Sequence, residues 1–300
     1  MNQVIFSIII VNWNTKRHLR NCISSIIKKN LNTNYEIIVV DNSSTDDSVS
    51  MLKSEYAADV ILIENKENVG FARANNTAIK ASQGEVILLL NSDTEIVTND
   101  FLESAEKFLL TNNEVGILGV KLTLPDGSQQ ASGGKFISIW ELFKTQVLLL
   151  DSPMYYKMIN AFPKRRDIDF YEVDYVCGAC LFVRREVIND IGYLNERFFM
   201  YGEDMEFCYR AQIKNWKVGV FNNIEVLHLR GQSTKKNPEN SYLIGIKNNC
   251  SLIKEFHGSF SLILAHLIYT YGLFIRFLLS FFRNDISPAS YLKMIRMLYK

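Results

Sequence analysis

Three hundred residues with 48% apolar and 22% charged side chains can bury a full core, and 5 Pro with 15 Gly exclude a disordered or fibrous chain. The formal net charge of +1 supplies no basic surface that would call for a nucleic acid. The total hides an asymmetry: residues 256–300 carry Arg276, Arg283, Lys293, Arg296 and Lys300 against Asp285 alone, so this tail stands at +4 and the rest at −3. An apolar, basic ending is the pattern of a membrane-surface segment.

Five cysteines are an odd number in a chain too long to need staples, so a reducing compartment is expected and a disulfide framework is not. Cys177-Gly-Ala-Cys180 is the one C-x-x-C. Without a second pair it reads as small residues flanking a tight Gly turn, ahead of redox or zinc chemistry. The apolar run at residues 4–11 has no basic region before it and is rich in β-branched residues. It reads as a buried strand, and no signal peptide is expected.

Strands are expected at 4–11, 36–40, 60–63 and 85–90, all short and continuously apolar, as suits parallel strands covered on both faces. Helices are expected between them at 16–29, 46–55 and 71–82, with Asn14 or Thr15 capping the first and Ser44 or Thr45 the second. A further helix follows at 99–110. Such β-α-β units predict a doubly wound, mostly parallel α/β sheet, whose ligands bind at the carboxyl ends of the strands. From about residue 122 the texture changes. Residues 135–166 read as irregular, 173–176 and 181–184 as strands, 203–214 as a helix, and 217–221 and 225–229 as two more strands. The expected organisation is 1–121 and 122–236 as two halves of one domain, then 237–300 as a helical extension.

Polar residues just beyond the strands carry the chemistry. Strand one runs from Val11 into Asn12-Trp13-Asn14 with no Gly-rich phosphate loop, so phosphates must be neutralised elsewhere, for instance by a metal ion. Asp41, ending strand two, can accept from a base N–H or a ribose hydroxyl, and reads equally as a loop cap. Trp13 could stack on a base, although an isolated strand-end Trp is commonly core. Asn91-Ser-Asp93 sets hard oxygen ligands at the sheet edge, as Mg²⁺ or Mn²⁺ requires; its plainer reading is a turn. Glu203 and Asp204 open a helix after Gly202, where a carboxylate often serves only the helix dipole. His228 ends an apolar strand, a place commonly taken by a satisfied core histidine.

Together, Ser7-Ile-Ile-Ile-Val-Asn-Trp-Asn-Thr15, Val39-Val-Asp-Asn-Ser-Ser-Thr-Asp-Asp47, Asn68-Val-Gly-Phe-Ala-Arg-Ala-Asn-Asn76, Leu88-Leu-Leu-Asn-Ser-Asp93, Cys177-Gly-Ala-Cys-Leu181, Gly202-Glu-Asp-Met-Glu206 and His228-x-x-Gly-x-Ser233 resemble the family 2 inverting glycosyltransferases of GT-A fold, within them the rhamnosyltransferase-like branch. The resemblance implies that Val11, Trp13, Asp41, Arg73 and Asn91 line the nucleotide. It implies Asp93 and His228 at a Mg²⁺ or Mn²⁺ ion on the diphosphate, and Asp204 as general base, with Glu203 as the second candidate. One departure stands out: Asn91 occupies the position of the first acid of the family's D-x-D. The implied reaction moves a hexose such as rhamnose from a UDP- or dTDP-sugar to a glycan or lipid-linked acceptor in surface polysaccharide synthesis. It would take place in the cytoplasm, on the inner face of the cell membrane. Two other readings share the early β-α-β pattern: a nicotinamide-dependent oxidoreductase, which lacks its Gly loop here, and a non-catalytic sugar-binding module.

The tail from 259 to 275 has no formal charge, at the lower limit for a membrane span. On a helical wheel Ser259, His266, Tyr269, Thr270, Arg276, Ser280 and Arg283 share an arc of roughly 140°. The expectation is an in-plane helix whose Arg276 and Arg283 meet lipid headgroups, the alternative being a helix packed on the body or on a homodimer partner.

Overall fold

The computed structural model describes residues 5–29, 33–149, 168–230, 238–281 and 287–299. In chain order the first half holds strands β1 (Phe6–Asn12), β2 (Tyr35–Asp41), β3 (Val60–Glu64), β4 (Val86–Asn91) and β5 (Thr94–Ile96). Between and after them run helices α1 (Lys16–Lys29), α2 (Ser48–Glu55), α3 (Phe71–Ala81) and α4 (Phe101–Thr111). The second half adds β6 (Val115–Thr123), β7 (Gln129–Gln130), β8 (Gly133–Gly134), α5 (Ile139–Gln146), β9 (Phe170–Glu172), β10 (Tyr175–Val176) and β11 (Cys180–Arg184). It continues with α6 (Arg185–Ile191), α7 (Glu203–Ile213) and β12 (Lys217–His228). Helices α8 (Pro238–Ser280, broken at Gly258) and α9 (Pro288–Leu298) follow.

The main sheet runs β3-β2-β1-β4-β11-β6-β12-β5. The pairs among β1, β2, β3 and β4 and the β6–β12 pair are parallel, while β11 is antiparallel to both its neighbours. β3 at the sheet edge, expected to be covered on both faces, leaves Ile61 49% exposed. β1, β2 and β4 carry apolar runs because both faces are covered: Ile8, Ile9 and Ile10 of β1 and Ile38, Val39 and Val40 of β2 are all buried. Each such side chain contributes about 1.5–3 kcal/mol when fully buried. Phe182 of β11 joins the halves, its ring 6.0 Å from Phe6 edge-on and 5.5 Å from Phe101.

The structure amends several expectations, three of them in the main sheet and the helices beside it. β6, which straddles the boundary expected between residues 121 and 122, was not among the expected strands. The two strands expected at 217–221 and 225–229 are one, β12, whose register against β6 shifts between Phe221 and Glu225. The first two helices are capped by neither pair of expected residues. Asp46 serves both, accepting from Lys16 N at 2.8 Å and Ser48 N at 3.2 Å. Burial pushes its carboxyl up, but the Ser48 hydroxyl and these backbone donors outweigh burial and hold it below the usual range.

Contacts divide the described chain into two units: residues up to Lys135 with 168–230, and 136–149 with 238–281 and 287–299. Residues 136–149, expected in the second half and read as irregular, therefore form α5 and pack with the C-terminal helices. Val4, Gly231, Ser233, Arg283 and the whole of 150–167 lie outside the described residues.

Candidate functional site

All nine residues singled out from the sequence fall in the first unit. At the carboxyl edge of the sheet Asn12 lies opposite Asp41, and Val11 opposite Asn91. β11 enters at this edge, the Asn91 amide donating to Ala179 O at 3.0 Å, and β12 leaves at it, His228 pairing with Thr94.

Asp41 is 2% exposed. Asn12 Nδ2 donates to its Oδ1 at 2.7 Å and the Ser44 amide to its Oδ2 at 2.8 Å. Asn12, which the sequence reading gave no role, is the hub: its Oδ1 accepts from the Thr15 hydroxyl at 2.6 Å, and its Nδ2 also donates to Ser44 Oγ at 3.0 Å. Asp41 is thus a loop cap, and each carboxylate oxygen retains acceptor capacity for a further donor. Val11 and Trp13 flank Asn12 half-buried. Arg73 on α3 bonds Glu196 Oε2 at 3.2 Å, and Asn76 of the same helix donates to Leu194 O at 2.8 Å. These bonds moor the loop that leads into α7.

Gly70 completes that mooring. At φ 86° it sits where the Phe71 amide donates to Phe199 O at 2.7 Å, and a Cβ would come within 2.6 Å of that oxygen. Gly70→Ala is expected to cost about 1–3 kcal/mol, read as a lower denaturant midpoint; an unchanged midpoint would show that the close approach is dispensable.

Glu203 and Asp204 open α7 behind two residues of positive φ, Tyr201 (71°) and Gly202 (97°). Their surroundings differ. Asp204 Oδ2 accepts from Gly178 N at 3.0 Å and Oδ1 from Met205 N at 2.8 Å, whereas Glu203 Oε2 is buried and, among the described residues, makes no hydrogen bond. Burial first, and the neighbouring Asp204 second, push the Glu203 carboxyl up to about 8. Burial raises Asp204 as well, opposed by its backbone donors. Two N–H bonds favour a carboxylate and an orphaned oxygen does not, so of the two Asp204 ionises the more readily and Glu203 holds its proton the more tightly.

The folded chain holds the Glu203 proton more tightly than the unfolded chain does. Its contribution is therefore present below the ordinary carboxylate range and is lost as pH rises towards about 8. Glu203→Gln is expected to raise Tm relative to wild type at pH 8.5 by several degrees, at roughly 2–4 °C per kcal/mol, and to have little effect at pH 4. A difference independent of pH would contradict this.

Asp93 and His228 are both buried, with Oδ1 and Nε2 3.3 Å apart. His228 Nδ1 meets Gln130 Oε1 at 3.0 Å, which turns Nε2 towards Asp93. A shared proton or a cation suits this separation of Nε2 and Oδ1. Two ligands at about 2.1 Å on adjacent octahedral positions stand about 3 Å apart, so the pair fits a divalent ion completed by substrate oxygens. Among the described residues no group of three or more His, Cys, Asp or Glu side chains is gathered for a metal. Gln130 carried no signal in the sequence.

Cys177 and Cys180 are free, and burial pushes the Cys177 thiol up to about 12. Cys180 N donates to Cys177 O at 3.4 Å, closing the turn that presents the Gly178 amide to Asp204. The motif is a turn that orients the acid.

The family model described as "Glycosyl transferase family 2" matches residues 7–192, more than half of the chain. The chain belongs to glycosyl transferase family 2. This family 2 chain is 30% identical over 235 residues to the low-salt glycan biosynthesis hexosyltransferase of Haloferax volcanii, covering 74% of this chain and 66% of that one, slightly under two thirds. It is 25% identical over 245 residues to the N-acetylglucosaminyl-diphospho-decaprenol L-rhamnosyltransferase of Mycobacterium tuberculosis, covering 74% and 75%. Among solved structures it is similar to a mannosyltransferase of Pyrobaculum calidifontis in complex with GDP-Man and Mn²⁺, at TM-score 0.61 and 15% identity over 99% of this chain and 81% of that one. The fold is GT-A, a largely parallel α/β sheet with a C-terminal helical extension. The family match covers Asp41, Arg73, Asn91 and Asp93 and ends before Glu203, Asp204 and His228.

Proposed function

We propose that the protein is an inverting glycosyltransferase. It moves a hexose, rhamnose among the candidates, from a UDP- or dTDP-sugar to a hydroxyl of a glycan or lipid-linked acceptor at the inner face of the cell membrane. The observation that carries the reading is the asymmetry of the acid pair: Asp204 Oδ2 accepts from the Gly178 amide at 3.0 Å, as suits an anion, whereas Glu203 Oε2 makes no hydrogen bond among the described residues.

In this reading Asp41 accepts from the base or ribose, Asn91 bonds a sugar hydroxyl as a neutral amide, and Val11, Trp13 and Arg73 border the nucleotide. Asp93 and His228 hold Mg²⁺ or Mn²⁺. When bound, that ion offsets the charge of the departing diphosphate. Asp204 takes the proton of the acceptor hydroxyl as its oxygen bonds to sugar C1 and the C1–O bond to the diphosphate breaks on the opposite face. A single displacement of this kind inverts the anomeric centre and requires no nucleophile from the protein. Proton NMR of the product formed from a donor of known anomeric configuration is expected to show the inverted anomer. The retained anomer would refute the mechanism.

A further inference from the structure

The second unit has a core of its own, in which Leu142 of α5, Ile246 and Ile253 of α8 before its break, Tyr269 and Leu273 after it, and Met294 of α9 meet. The break is Gly258, at φ 83°. The helical arm that follows turns Tyr269, Arg276 and Ser280 of the wheel's polar arc towards the unit, while Ser259 of that arc stays exposed. Tyr269 is 1% exposed, its hydroxyl accepting from Asn249 Nδ2 at 2.9 Å, and Ser280 is also buried. The Arg276 guanidinium donates to Gln146 O at 2.9 Å and Thr145 O at 3.1 Å, satisfying carbonyls at the end of α5. Arg276 is therefore engaged within the unit, which corrects the expectation that it meets lipid.

The outward face is the reverse. Phe260, Ile263, Leu267, Tyr271, Phe274 and Leu278 are 46–73% exposed, and Phe281 extends the row. Their spacing of three and four residues places them on one side of the helix. At 1.5 Å per residue the row is about 32 Å long. From Phe260 to Phe281 every exposed residue is apolar or aromatic. The arm is therefore apolar on both sides: Ala265 and Leu273 enter the unit's core, while the outward row stays exposed.

We propose that this face docks in the plane of an anionic lipid bilayer. Charge complementarity selects the occupant: residues 256–300 hold five basic residues against Asp285 alone, with Lys293 and Arg296 exposed on α9. An anionic surface attracts such a segment, whereas a second copy of the chain would set two like-charged tails together. The arm is long and apolar enough to cross a membrane, but its other side is covered by helices that expose Lys247, Lys254, Lys293 and Arg296, and these keep the bundle on the surface. The inference deepens the membrane location in the proposed function, and because it is read without donor or acceptor it can fail while the transfer reaction stands.

The full chain is expected to sediment with vesicles of phosphatidylcholine and phosphatidylglycerol, to bind pure phosphatidylcholine vesicles at least ten-fold more weakly, and to be released by alkaline carbonate. Leu267→Glu with Phe274→Glu, both exposed, is expected to lower vesicle binding at least ten-fold with unchanged circular dichroism and Tm. Leu110→Glu, equally exposed in the other unit, is expected to bind as wild type. Carbonate-resistant membrane retention would overturn the proposal in favour of a span. Absence of vesicle binding would overturn it too, and a dimer lost in the double variant would then identify a second copy as the occupant.

Discussion

Asp204→Asn is expected to lower kcat by about 10²–10⁴-fold, the range for a lost general base, with donor affinity left within about two-fold of wild type. The split follows from where the carboxylate acts. A group that receives the acceptor proton is used mainly in the transition state, so removing it affects turnover and leaves ground-state donor binding alone. The side-chain amide introduced by this substitution is nearly isosteric with the carboxylate but has one acceptor oxygen; turned to Gly178 N it keeps that bond and gives up the one from Met205 N, so the turn at Cys177–Cys180 should survive at a cost of about 1 kcal/mol. Glu203→Gln provides the contrast. Glu203 already holds its proton near neutral pH, and a neutral amide should keep activity within about ten-fold of wild type. Full activity in Asp204→Asn together with loss in Glu203→Gln would move the base to Glu203.

Removing metal, or Asp93, should remove nucleotide binding. No Gly-rich loop follows β1, so the diphosphate charge has no cradle of backbone N–H groups there, and the Asp93–His228 pair is the described place where a cation fits. In the presence of Mg²⁺ or Mn²⁺, UDP or dTDP at 100 times Kd should stabilise the fold by about 2.7 kcal/mol, a Tm gain of roughly 5–10 °C. EDTA, or Asp93→Ala, should abolish that gain without lowering the Tm of the free protein by a similar amount. Equal stabilisation with and without metal would indicate a clamp of basic residues instead.

What the sequence disclosed depended on how local the determining contacts are. α1 was expected at its observed limits, and β1 to β4 close to theirs, because buried parallel strands and capped amphipathic helices leave a mark in every few residues. β6 left none. Gly116 and Gly119 interrupt its apolar run, and their reason is distant in sequence: a Cβ at Gly119 would meet Val176 Cγ1 at 2.8 Å and one at Gly116 would meet Val187 Cγ2 at 2.7 Å. Asp46 looked like one more acid in a polar loop, because the donors it satisfies belong to two helices. The wheel grouped Tyr269, Arg276 and Ser280 correctly but put exposed Ser259 with them, and what Arg276 meets depends on what else packs there. Arg276 finds its partners at the end of α5, a helix hidden among irregular aromatics.

The site divides the same way. Asp41, Asn91, Asp93, Glu203, Asp204 and His228 were legible as types and spacings, and the fold gathers Asp93 with His228 and Asp41 with Asn12. The supporting groups were not legible. The Gly178 amide, Gln130 Oε1 and the Phe199 carbonyl act through backbone geometry or through a side chain with no neighbouring motif.

Native mass spectrometry of the full chain against nucleoside diphosphate sugars and NAD(H), with Mg²⁺ or Mn²⁺ present, tests most directly whether this sheet edge is a sugar-donor site. The predicted result is a complex with UDP- or dTDP-sugars that disappears on chelation, persists in Asp204→Asn, and is lost in Asp93→Ala. A complex with NAD(H) and none with any nucleotide sugar would contradict it.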